Sequence, residues 1–197
     1  MDNCIFSAHC TEFKCDKSCP ILVETSYLLE RNNISMNSSV FHRDPSYIEM
    51  TSSTLKRAEG KIKCVTADQT VATAELFTYV AICQNWKGNR LHCNVYNLRF
   101  STFLEETKQS WSAKTDPESL EYMRIWSNSA KVLIISHLDY VNFGDFESQT
   151  LLNLLQMRDR PDLTTIIVSP KLHQLVGKDK SMFFTKLQTV LAKAVKA

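Results

Sequence analysis

From Lys61 onward the chain repeats one pattern: a short run rich in β-branched and apolar residues, then a longer stretch with apolar residues at helical spacing. The strand-like runs are KIKCVTA (61–67), LHCNVYNL (91–98), KVLII (131–135) and LTTIIVS (163–169). Between and after them, TAELFTYVAICQNW (73–86), FSTFLEETKQSW, DPESLEYMRIWSN, SQTLLNLLQMRD (148–159) and MFFTKLQTVLAKAVKA (182–197) read as helices. The order βαβααβαβα constrains the fold strongly. Strands that alternate with helices pair in parallel through right-handed crossovers, and the sheet is covered on both faces. The expected class is therefore α/β with a parallel sheet. A length of 197 residues, 44% of them hydrophobic and 22% charged, is enough to bury such a core.

The first forty residues differ. Four of seven cysteines fall in MDNCIFSAHCTEFKCDKSC, spaced Cys-x5-Cys-x4-Cys-x3-Cys. Structural zinc takes four thiolate or imidazole ligands, so Cys4, Cys10, Cys15 and Cys19 form a candidate site, with His9 as the alternative to Cys10. Free thiols, an iron–sulfur cluster and disulfides compete with that reading, because the usual Cys-x2-Cys pairs are missing. A metal would explain how so short a segment folds. ILVETSYLL then suggests a short helix, and RNNISMNSS, polar and aperiodic, a linker. The expected domains are a zinc module with its linker over 1–38 and an α/β domain over 39–197. Cys64, Cys83 and Cys93 stand singly among apolar residues and read as core.

Net charge is +2, from 23 basic and 21 acidic residues, so no bulk field demands nucleic acid. The chain has no apolar run of membrane-spanning length and begins with Asp2, Cys4 and His9 rather than a signal-like segment. A cytoplasmic protein with no membrane partner is expected.

A first strand leading through a loop to a helix, and a third strand ending in a polar pair, is the layout of a P-loop ATPase. The segments from FSTFLEETKQSW through KVLIISHLDYVNFGDFESQTLLNLLQMRDRPDLTTIIVS to MFFTKLQTVL resemble the helicase-loader branch of the AAA+ ATPases, the DnaC and DnaI type, including phage versions. The resemblance covers roughly residues 61–190 by order and texture. It implies an AAA+ or RecA-like P-loop-type core, and an N-terminal partner-binding domain ahead of it.

The family's catalytic motifs are degenerate here. A phosphate loop needs glycines for close backbone approach, a Lys for the phosphate charge and a hydroxyl for Mg²⁺. Laid on TADQTVAT, the glycines become Thr66 and Val71 and the Lys becomes Ala72; only Thr73 keeps its hydroxyl. Ser136 and His137 stand where the third strand should offer two carboxylates. Asp139 lies beyond the strand end and is expected to point elsewhere. Pro170 replaces the sensor residue of the fourth strand, and Lys186 the arginine finger, without its planar fork.

The resemblance thus implies a non-catalytic pseudo-ATPase with no use for ATP. Its function would be to bind a replicative helicase or an active AAA+ loader in a hetero-oligomer during DNA replication, for a phage or other mobile element. The alternative is a DNA-binding accessory that uses the basic C-terminal region: Arg158, Arg160, Lys171, Lys178, Lys180, Lys186, Lys193 and Lys196. A solvated helix face or a subunit contact would account for these charges equally well, and another doubly wound fold would need no lost motifs. A Ser136–His137 nucleophile and base is disfavoured, because adjacent strand residues point to opposite faces and should not meet.

Overall fold

A computed structural model describes residues 19–35, 38–86, 94–112, 117–170 and 182–196. Helix α1 (Pro20–Arg31) and a 3-10 turn (Ser39–His42) lead to α2 (Pro45–Arg57). The α/β alternation follows: β1 (Ile62–Thr66), α3 (Thr70–Trp86), β2 (Val95–Arg99), α4 (Phe100–Ser110), α5 (Pro117–Ser129), β3 (Val132–Ser136), α6 (Asp145–Met157), β4 (Thr164–Ser169) and α7 (Met182–Lys196). Helix α2 falls where the sequence pattern is mixed. Its start is marked all the same, since Asp44 accepts from the Ser46 N–H at 2.8 Å and Pro45 sits at the first helical position.

The four strands form one all-parallel sheet in the order β1-β4-β3-β2, a layout compatible with a P-loop-type core. The β1-to-β2 crossover runs one way across the sheet and the next two run back, so right-handed connections put α3 on one face and α4 to α6 on the other. Packing agrees. Leu76, Phe77, Val80, Ala81 and Ile82 of α3 bury against Val132, Ile134, Ile166 and Val168. On the opposite face, residues of α4 to α7 cover Leu98, Leu133, Ile135 and Ile167. The direction changes between β1 and β4, and at such a switch point the loops part to leave a crevice at the carboxyl ends of the strands.

Helix α1 belongs to this packing. Leu28, Leu29 and Ile34 are buried in the same cluster as α3, so the core runs across the 38/39 boundary expected from sequence. The linker reading fails at Asn32, which is fully buried because it caps α1 and bonds to β2. Among the described residues no helix is long and apolar enough to cross a membrane.

Candidate functional site at the carboxyl edge of the sheet

Because β4 lies between β1 and β3, the ends of all three strands converge on one edge, and with them most of the degenerate motif positions. Thr66 pairs in register with Ser169, the residue before Pro170, and Ser136 with Arg99 of β2. Only residues 67–69 separate β1 from α3, and the first N–H of that loop is already used, Ala67 donating to the Ser169 carbonyl at 3.2 Å. Val71, Ala72 and Thr73 are half-buried in the first turn of α3, where the Thr73 N–H bonds the Gln69 carbonyl at 2.9 Å. Lys186 is exposed on α7, whose Leu187, Leu191 and Ala194 face the core.

Asp139 does not point elsewhere. The loop after β3 turns it back so that Oδ2 accepts from the buried Thr70 hydroxyl at 3.4 Å, at the start of α3. A carboxylate therefore faces the helix end whose free N–H groups and positive dipole would otherwise suit a phosphate.

Ser136 and His137 also depart from expectation. Their side chains meet, Ser136 Oγ lying 2.9 Å from His137 Nδ1. The cause is the backbone of His137, whose φ of 60° is left-handed and breaks the alternation of faces that an extended residue would keep. Ser136 is fully buried, which leaves no route for an attacking hydroxyl.

Ser136 belongs instead to a polar chain through the core. Its hydroxyl donates to Asn97 Oδ1 at 3.2 Å. Asn97 donates from Nδ2 to the Asn32 carbonyl at 3.4 Å and from its main-chain N–H to Asn32 Oδ1 at 2.8 Å. Asn32 Nδ2 closes the chain on the Leu28 carbonyl of α1 at 2.8 Å. Sequence reading missed Asn32 and Asn97; polar residues 65 positions apart carry no local sign of pairing.

His137 is half-buried beside the exposed Tyr140 ring, centroids 5.5 Å apart. Burial lowers its proton affinity and Arg99 lowers it further, while Asp139 and Glu75 act in the opposite sense. Each of those charges has its own partner. Arg99 donates to the Asn33 carbonyl at 3.0 Å, Glu75 accepts from the Ser38 hydroxyl, and Asp139 takes the Thr70 bond.

Of the expected zinc ligands, Cys4, Cys10, Cys15 and the alternative His9 lie outside the described residues. Cys19 is described: a buried free thiol just before α1, its carbonyl accepting from the Val23 N–H at 3.1 Å. Among the described residues no three His, Cys, Asp or Glu side chains gather as a metal would need.

Two residues of the basic C-terminal region are less available than the sequence suggests. Arg158 is buried, with a relative exposure of 1%, and Arg160 pairs with Asp162 at 2.8 Å. Lys186 and Lys193 are exposed on α7, whereas Lys171, Lys178, Lys180 and the side chain of Lys196 lie outside the description. Compared with models of known protein families, with curated proteins and with solved structures, the chain matches none of them.

Proposed function

We propose that the chain is a non-catalytic, AAA+-like protein of the helicase-loader type. In this reading it is cytoplasmic, encoded by a phage or other mobile element, and acts in DNA replication by docking on a replicative helicase or an active AAA+ ATPase. The observation that supports it is the state of the carboxyl edge. A nucleotide site needs donors aimed at phosphate oxygens and acids aimed at a metal. Here the loop is three residues long, its first amide is bonded into the sheet, and Asp139 faces the start of α3. The N-terminal cysteines, read as a zinc module, would serve recruitment.

The test has two arms. A nucleotide bound at a hundredfold excess over its Kd would add about 2.7 kcal/mol of stability. We expect no shift in the unfolding midpoint with Mg²⁺-ATP or ADP, no ATP turnover, and a complex with purified replicative helicase or its loader on size exclusion. Hydrolysis lost on Thr73→Ala or Asp139→Asn would overturn the reading. The DNA-binding alternative predicts affinity for DNA that falls steeply with added salt; with Arg158 buried and Arg160 paired, we expect little.

A further inference from the structure

We infer that His137 presents a preset hydrogen-bond acceptor at the carboxyl edge, so that this site takes a cationic N–H donor, an ammonium or a guanidinium, and turns away phosphate and carboxylate oxygens. The inference goes beyond the replication reading and stands without it, because it concerns one imidazole and its neighbours.

The proton positions follow from the polar chain. Asn97 spends Nδ2 on the Asn32 carbonyl, so its oxygen end faces β3, 3.2 Å from Ser136 Oγ. An amide oxygen carries no hydrogen, and the single hydroxyl proton of Ser136 must therefore point at it. Having given that proton away, Ser136 Oγ can only accept from its other neighbour, His137 Nδ1 at 2.9 Å. Nδ1 then bears the hydrogen. A neutral imidazole has one N–H, which leaves the lone pair on Nε2.

The reverse arrangement would turn the hydroxyl toward Nδ1 and strip Asn97 Oδ1 of its donor, in a residue with a relative exposure of 3%. Burial of the chain thus selects one tautomer. The left-handed backbone of His137 is what brings Nδ1 to Ser136. No described residue donates to Nε2, and the ring lies only partly covered beside the exposed Tyr140.

Charge sets the class of the occupant. Among the described residues, the charged groups facing His137 are Arg99 from β2, Asp139 from its own loop and Glu75 from α3. Arg99 acts on the ring more strongly than either carboxylate alone, but two carboxylates against one guanidinium give these described neighbours a formal charge of −1 beside an acceptor nitrogen. An anion would meet acceptors and repulsion there, whereas a cationic donor finds both a lone pair and the favourable sign.

The experiment uses the full chain labelled with ¹⁵N-histidine. Two-bond proton–nitrogen spectra at about pH 7.5, above the ordinary histidine pKa of about 6.5, report which nitrogen of His137 is protonated. We expect Nδ1–H, and an Nε2 resonance that moves on titration with methylguanidinium or methylammonium at least roughly tenfold more readily than with inorganic phosphate or ADP. His137→Asn identifies the signal. Ser136→Ala should mix the tautomers and weaken the methylguanidinium response; should that variant fail to fold, the unaltered chain decides alone. An Nε2–H tautomer, a phosphate response equal to the cation's, or no response to methylguanidinium up to about 100 mM overturns the inference. None of these outcomes depends on whether a helicase is bound.

Discussion

Arg158 ends α6 inside the protein, and its guanidinium is used to the full. Nε donates to Thr165 Oγ1 at 2.8 Å, Nη1 to the carbonyls of Ser127 at 2.9 Å and Asn128 at 3.4 Å, and Nη2 to those of Ala130 at 2.8 Å and Thr164 at 2.9 Å. Its charge sits at the negative end of α5, so it works as a cap borrowed from another helix. Burial pulls its pKa down to about 10, which still leaves it charged at neutral pH. Replacing it with Met should cost about 3 kcal/mol or more, because several buried carbonyls lose their donor. Lys should cost less than Met, since it keeps the charge but not the planar fork; urea midpoints measure both. At His137 the sign of the pH effect follows from burial. The folded state binds the proton less well than the unfolded chain, whose pKa is near 6.5, so this contribution is complete above that value and shrinks as pH falls below it. His137→Asn tolerates the left-handed backbone and does not titrate. It should flatten the loss of stability between about pH 7 and about pH 5 relative to the unaltered chain, and an unchanged slope would refute the assignment.

At the scale of elements, the strands were readable because short β-branched apolar runs have few alternatives when turn signals bound them. Helix α2 was missed although Asp44 and Pro45 announce it, because its buried face is reduced to Thr51 and Leu55 and the apolar period is faint. The stretch after α1 was misread for a different reason. Asn32 is polar and looks like linker, but its partner Asn97 lies 65 residues on, and composition does not reveal a partner. His137 and Arg158 share that limitation, since neither a left-handed histidine nor a buried arginine in the run RDRPD has a local signature. One element boundary depends on a glycine. Gly60, between α2 and β1, has φ +67°, and a Cβ there would stand 2.5 Å from the Pro161 carbonyl oxygen. Gly60→Ala would combine left-handed strain with a clash against main chain, and should cost about 2 kcal/mol. In a protein of this size that is a fall in Tm of roughly 4–8 °C. A scanning calorimetry midpoint within about 1 °C of the unaltered chain would show that the turn has another conformation available.

On the scale of the whole molecule, the sheet order gathers the degenerate strand ends without any pairing of their side chains being visible in the sequence. The same order explains why α1 cannot be a separable attachment. Helix α3 is apolar on most of its surface and needs cover on the side away from the sheet, which the 3-10 turn and α2 provide, while α1 buries its apolar residues in the same cluster beside β2. Leu28, Leu29 and Ile34 join Val40, Leu55 and Ala58 in that buried cluster, and Asn32 anchors the end of α1 to β2. Truncating a buried Leu or Ile to Ala costs about 2–5 kcal/mol. Removing Leu28, Leu29 and Ile34 together therefore approaches or exceeds the whole stability of a typical domain, about 5–15 kcal/mol. A chain that begins at residue 39, the boundary suggested by sequence, should lose its cooperative thermal transition and expose the apolar cluster that Leu28, Leu29 and Ile34 complete, whereas one that begins at residue 19 keeps all of α1. Circular dichroism melts of the two deletions beside the full chain decide the matter. A sigmoidal melt of 39–197 at the full-length midpoint would mean that α1 is dispensable and that the core ends at α2.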